Sequence, residues 1–242
     1  MGPWESWYLY AMSPRDQGYI EMANPGPDEV MARFDLHVHT VFSRDAVNRP
    51  EVVIREAKKK GLRGFAVTDH NTVDGLSSFS GEKELIVVPG VEISTGSGHL
   101  LGFGIYECPV KGVQLEEAID FIHQRGGLAV AAHPFSGFKM GMGKALLEGA
   151  RVDAVEVFNA SNWFPRSNAK ARALRVGGKT GGSDAHFPWE VGSGYTYGPG
   201  LNPESWEELL KAIKEGRTDG GGHLSSLSER LYGRLKQRFG DF

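Results

Sequence analysis

One cysteine in 242 residues, Cys108, excludes an intrachain disulfide and any thiolate-built structural zinc site, and it fits a reducing compartment. Basic excess is missing as well. With 27 Lys+Arg against 30 Asp+Glu the formal net charge is -3, so the usual electrostatic footprint of a nucleic-acid binder is absent. Long apolar runs are missing too: the longest, such as Gly127 to Ala132, are strand-sized, so no membrane span or signal peptide is read. A soluble, cytoplasmic protein with no membrane partner is expected.

What remains is enough apolar material, 40%, to fill the core of one α/β domain with tails. Residues 1–33 hold Trp4, Trp7, Tyr8 and Tyr10 and a Pro/Gly segment from Asn24 to Pro27 without sustained periodicity, and they read as an irregular extension. From Phe34 short β-like runs alternate with amphipathic helices. Seven strands are expected at Phe34–Val38, Gly64–Thr68, Ile86–Ile93 (broken by Pro89-Gly90), His99–Ile105, Leu128–Ala132, Ala154–Phe158 and Lys179–Gly182. Helices are expected at Pro50–Lys60, Gln114–Arg125, Gly143–Gly149, Arg166–Val176 and Pro203–Glu215. Such alternation predicts a parallel sheet, and seven units in so short a span predict a closed or nearly closed barrel over residues 34–216, with its chemistry at the carboxyl ends of the strands. Residues 217–242 read as a tail. In it Gly220-Gly221-Gly222 is a hinge, and Leu224, Leu227, Leu231 and Leu235 mark an amphipathic helix with a basic face (Arg230, Arg234, Lys236, Arg238) that packs on the barrel or on a second copy of the chain.

Polar, metal-competent residues sit where those strands end. The first gives His37 and His39, two apart and so on one strand face, with Asp45 soon after. The second runs into Asp69-His70, whose side chains should diverge so that only one ligates. The third reaches Glu92. The fourth differs, opening rather than closing on His99. The fifth leads to His133-Pro134 and the sixth to Asn159. The seventh leads to Asp184-Ala185-His186, which repeats the two-residue spacing. Singly, each has an ordinary reading: a packed histidine, a salt-bridge partner, a turn or cap residue. Jointly, so many ionisable groups around one barrel mouth need a compensating positive charge, which divalent cations provide; mixed imidazole and carboxylate donors suit Zn, Mn or Fe(II).

The segments Asp35-Leu36-His37-Val38-His39-Thr40, Thr68-Asp69-His70, Pro89-Gly90-Val91-Glu92, Ala132-His133-Pro134 and Gly182-Ser183-Asp184-Ala185-His186 resemble, in order, the signature set of the PHP (polymerase and histidinol phosphatase) family. The resemblance spans about Phe34 to Lys214. It implies a distorted (β/α)7 barrel, similar to a TIM barrel, that holds two or three divalent metal ions and hydrolyses phosphate esters through a metal-activated hydroxide. It further implies a first metal on His37, His39, Glu92 and Asp184. A second would share Glu92 and add His133 and His99, and a third would use Asp45, His70 and His186. Glu92 would bridge, Asp69 is a candidate proton donor to the leaving group, and Arg166, with Lys139 and Lys170 behind it, could reach a substrate phosphate. No serine or cysteine nucleophile is required. Expected substrates are a phosphorylated small molecule, a nucleotide or a short single-stranded oligonucleotide. Two alternatives stay open: a metal-dependent amidohydrolase, disfavoured by the Asp184-x-His186 close and by the lack of a strand-end lysine, and a non-catalytic binding module.

Overall fold

The computed structural model describes residues 31–137, 141–226, 229, 232 and 233. The extension read at residues 1–33, most of the C-terminal helix and Lys139 fall outside the described residues.

Nine strands form one sheet: β1 (Phe34–Val38), β2 (Gly64–Val67), β3 (Ile86–Thr95), β4 (Gly98–Phe103), β5 (Leu128–Ala131), β6 (Ala154–Asn159), β7 (Gly178–Gly182), β8 (Gly194–Tyr197) and β9 (Asp219–Gly222), ordered β7-β6-β5-β4-β3-β2-β1-β8-β9. Strands β1, β2 and β5 are buried at every position, the mark of strands covered on both faces. The helices are α1 (Pro50–Lys59), α2 (Leu115–Gln124), α3 (Gly143–Leu147), α4 (Pro165–Arg172) and α5 (Trp206–Lys214). Helix α1 starts on Pro50, ends on Lys58 and Lys59, and is followed by Gly61 at φ +65°. In α5, Ser205 caps the Glu208 amide and Leu209, Leu210 and Ile213 are buried. These α5 residues join Phe34, Leu36, Phe103, Leu128 and Ala154 in one apolar cluster, which fills the barrel at the end where the parallel strands begin. The opposite end is left for polar chemistry. Among the described residues no helix is long and apolar enough to cross a membrane.

Two expectations are corrected. The sheet is not wholly parallel: β4 runs antiparallel to both β3 and β5. A two-residue turn, Gly96-Ser97, joins β3 to β4 with no room for a crossover helix, so the second strand of the pair must turn back. This reversal puts the start of β4, with His99, at the same mouth as the ends of its neighbours, and the Ala132 amide donates to the His99 carbonyl at 3.2 Å. The strand-opening position of His99 is therefore its route into the site. Pro89-Gly90 also leaves β3 unbroken.

The second correction concerns Gly220-Gly221-Gly222, which is no hinge but most of β9, paired to β8. Strands β8 and β9 press on β7 where the ends of the sheet meet. A Cβ on Gly194 would lie 2.1 Å from the Gly182 carbonyl oxygen, and one on Gly220 2.4 Å from that of Thr180. Glycine is what lets the backbones touch. The sheet then nearly closes: Asp184 N donates to His37 O at 2.7 Å, His39 N to Ala185 O at 3.0 Å, and Val38 bridges Ala185. Replacing Gly194 with alanine is expected to force this seam apart and cost about 2–3 kcal/mol of stability, seen as a lower urea midpoint; an unchanged midpoint would show that the close approach is not needed.

Candidate metal centre

The cluster has a floor and a rim. His37, His39, Glu92, His133 and Asp184 are at most 2% exposed, whereas His70, His99 and His186 are half-buried and the Asp45 side chain is 52% exposed. Glu92 lies at the centre. Its Oε2 stands 3.3 Å from the Nε2 of both His37 and His39 and 3.0 Å from His70 Nδ1, and its Oε1 is 2.9 Å from His99 Nδ1 and 3.0 Å from His133 Nε2. Asp184 Oδ1 lies 3.4 Å from His39 Nε2 and 3.8 Å from His37 Nε2. At the rim, Asp45 Oδ2 is 3.5 Å from His70 Nε2 and 3.3 Å from His186 Nε2. All nine residues nominated as ligands thus converge on one mouth. Donor atoms of His37, His39 and Glu92, of His37, His133 and Asp184, of His70, Glu92 and His99, and of His39, His70 and His186 fall within 4.8 Å of one another.

Local backbone irregularity helps to aim them. The register of β1 against β2 shifts between Asp35 and Val38, and that of β6 against β7 between Glu156 and Phe158, both beside site residues. His133 and Asp184 adopt φ values of +28° and +57°, unfavourable for residues with a Cβ and found where function fixes a side chain's direction.

Further polar groups fix the rings. Glu156 Oε1 is 3.0 Å from His37 Nδ1, and its Oε2 accepts from His133 N at 2.7 Å and from Asn159 Nδ2 at 3.0 Å. Asn159 also donates to Asp184 Oδ2 at 3.1 Å. His186 Nδ1 is 2.9 Å from the Asp184 carbonyl oxygen, so the donated proton sits there and Nε2 is left for a cation. Sequence reasoning passed over Glu156, although a lone carboxylate in the apolar run Val155-Glu156-Val157-Phe158 was a signal. It also passed over Asp35, which accepts from Ser183 N and Oγ and from Gly192 N and ties β1 to the segment after β7. Burial pushes the Asp35 carboxyl up to about 6 against those hydrogen bonds.

The three residues nominated around the reaction part company. Glu92 is central. Asp69 diverges from His70, as strand alternation requires; it is buried and accepts from Thr40 N and Thr40 Oγ1, both at 2.7 Å, and from Ser43 Oγ at 2.8 Å, which anchors the loop after β1. Arg166 lines a cavity of about 460 Å³ with Phe135, Gly137, Phe164, Pro165, Ser167 and Lys170. Cys108 Sγ donates to the Pro109 carbonyl, and burial pushes its thiol up to about 11, so it supplies no thiolate nucleophile.

The donor set fits divalent cations on its own chemistry. His37 Nε2, His39 Nε2, Glu92 Oε2 and His99 Nδ1 are buried and have no hydrogen-bond partner, yet they face one another across 2.9–3.3 Å. Buried polar atoms are rarely left so, and a shared cation satisfies all four. Where protons alone balance the carboxylates, the strain shows. Burial works against charge on His37, but Asp184, Glu156 and Glu92 outweigh it and hold its proton well above the usual range. Burial likewise opposes charge on His70, but Glu92 and Asp45 carry it up to about 10. Burial and the charges of His186 and His70 push His39 down.

The PHP domain model matches residues 35–147 and the PHP-associated model residues 162–218. The Methanocaldococcus jannaschii protein MJ1587 is 40% identical over 139 residues, covering 52% of this chain and 81% of its own length. This chain belongs to the PHP family. Among solved structures, PsfC from Pseudomonas syringae PB-5123 superposes with a TM-score of 0.65 at 21% identity over 86% of this chain and 98% of its own. The lesion-specific endonuclease PfuEndoQ from Pyrococcus furiosus does so at 0.63 and 17%, over 79% of this chain and 59% of its own. Both share the fold.

Glu156→Gln keeps the size but removes the anionic partner of His37, and is expected to lower affinity for divalent metal about 10–100-fold in chelator competition; unchanged affinity would mean that the His37 ring is held by other contacts. A pH dependence also follows. His70, raised in the folded metal-free protein from 6.5 to about 10, contributes stability that is complete below about pH 6.5 and is lost as pH rises through 10. Metal needs the neutral imidazole, so its contribution grows over the same window. The Tm difference between metal-loaded and metal-free protein is therefore expected to widen from about pH 6.5 to about pH 9; a constant difference would contradict proton–metal competition at His70.

Proposed function

We propose that this protein hydrolyses phosphate esters with two or three divalent metal ions, Zn, Mn or Fe, held at the barrel mouth. The observation that carries this reading is Glu92, one buried carboxylate within 3.3 Å of five imidazoles, with Asp184 and Asp45 close by. His37, His39, Glu92 and Asp184 would hold one ion. Glu92, His133 and His99 would hold a second, and Asp45, His70 and His186 a third toward solvent. Bound there, such ions would neutralise the phosphoryl oxygens and make water acidic enough to ionise near neutral pH.

The chain's own groups do the positioning. Glu156 and Asn159 fix His37 and Asp184 from behind, so the donors keep their aim without a reorganisation cost during the reaction. In this reading Asp69 serves as an anchor rather than a proton donor, since both its oxygens already accept hydrogen bonds from the loop after β1. Arg166 lies on the substrate side, where a guanidinium can meet a phosphate with two parallel hydrogen bonds. A phosphomonoester, a nucleotide or a short single strand suits a mouth with no inserted domain between His70 and Glu92. The family membership supports the reaction class.

The test is a panel of nucleoside monophosphates, histidinol phosphate and a 5′-phosphorylated oligonucleotide, each assayed with Mn, Zn, Mg and Fe(II). Turnover of at least one ester with at least one metal is expected. Glu92→Ala should lower that turnover at least about a thousandfold, because a bridging donor serves more than one ion. No turnover of any ester would dispose of the phosphoesterase reading and favour a binding module, and full activity of Glu92→Ala would dispose of the bridge.

A further inference from the structure

Beside the metal centre the cavity of about 460 Å³ has two walls, each attached to a site residue. One wall is the loop after β5. It leaves His133, with Ser136 N donating to the His133 carbonyl at 2.9 Å, and it carries Phe135 and Gly137. The Phe135 ring lies on the first residue of α3, where a Cβ on Gly143 would come within 2.5 Å of it. The other wall is the start of α4. Asn168 on the buried side of α4 accepts from Asn159 N at 3.1 Å and donates to Asn159 O at 3.2 Å, and Asn159 in turn bonds Asp184. With Asn168 turned inward, Arg166 and Lys170, one helical turn apart, share the exposed side, and Phe164 stands just before the helix with 53% of its surface exposed.

We infer that this cavity is the specificity pocket of the site and takes the planar base of a nucleotide whose phosphate sits at the metal centre. The inference rests on the phosphoesterase reading for the reaction but on the cavity for the choice of substrate. The volume is that of a small-molecule site. Its lining combines two phenyl rings, on which a base can stack, with a guanidinium and an ammonium for the accompanying charge, the pairing used to hold unpaired nucleotides without sequence preference. A purely aliphatic phosphate ester would leave those rings in contact with water. The Asn159–Asn168 hydrogen bonds set the distance between pocket and metal centre, so the pocket selects by ring as well as by charge.

Adenosine 5′-monophosphate and ribose 5-phosphate share the scissile group and differ in the base, and they separate the terms. With the full-length, metal-loaded protein, Phe164→Ala and Arg166→Gln are each expected to lower the ratio of kcat/KM for adenosine 5′-monophosphate over ribose 5-phosphate about tenfold, mainly through KM. Phe164→Trp should keep the ratio, as should Tyr106→Ala, which lies in a different cavity. An unchanged ratio in Phe164→Ala overturns the inference. If neither ester turns over, the reaction class has failed and calorimetric binding of adenosine 5′-monophosphate decides the pocket. Binding that weakens about tenfold in Phe164→Ala upholds it, and binding that is absent or unaffected overturns it. Thermal melting checks that the variants fold, which the exposure of Phe164 favours.

Discussion

Five imidazoles around one buried carboxylate set the terms for the rest of this molecule. Glu92 is fully buried and faces His37, His39, His70, His99 and His133, with two more carboxylates beyond them. Such a group is costly in a protein interior unless positive charge enters with it. The barrel makes the arrangement affordable by filling one end with side chains from β1, β4, β5 and α5 and leaving the other to polar groups. Every strand that delivers a donor does so at that second end, including β4, which has to run backwards to manage it.

Much of this was legible before any coordinates. The seven strands of the barrel proper lie within a residue or two of their expected positions, except that β3 continues through Pro89-Gly90 to Thr95, because runs such as Leu128–Ala131 are buried on both faces and stay apolar throughout. Histidines at two-residue spacing advertised the mouth. Strand direction was not legible: a helix-free connection is what marks the β3–β4 hairpin, and a periodic pattern looks the same read forwards or backwards. Strands β8 and β9 were missed for a different reason. Gly220-Gly221-Gly222 has no side chains to show alternation, and its role is one of contact with Thr180 and Gly181, which only the fold brings near.

The residues around the donors were the least legible. Asp35 sits two positions before His37 in the same segment, yet its partners, Ser183 and Gly192, are about 150 residues away in sequence. Glu156 and Asn159 are likewise defined by whom they meet. Their placement has a common logic: each joins one donor-bearing element to another, so the orientation of a ring on β1 depends on a carboxylate on β6, and that of Asp184 on an amide beside the same carboxylate. The centre is a cross-braced unit rather than a set of independent ligands. The same bracing extends outward through Asn168 to α4, linking the aim of the donors to the wall of the neighbouring cavity.

The glycine-lined seam between the first and last strands carries a mechanical meaning. His39 and Asp184 belong to opposite edges of that seam and face each other at 3.4 Å across the site. A cation shared by them would act as a rivet, closing a loop of about 145 residues and so removing a large share of the freedom that the opened chain would regain. The barrel is least buttressed by side chains just where such a rivet would sit. Loading the site and locking the cylinder would then be a single event, and the loaded protein would resist opening far longer than the empty one because its weakest join had become its strongest.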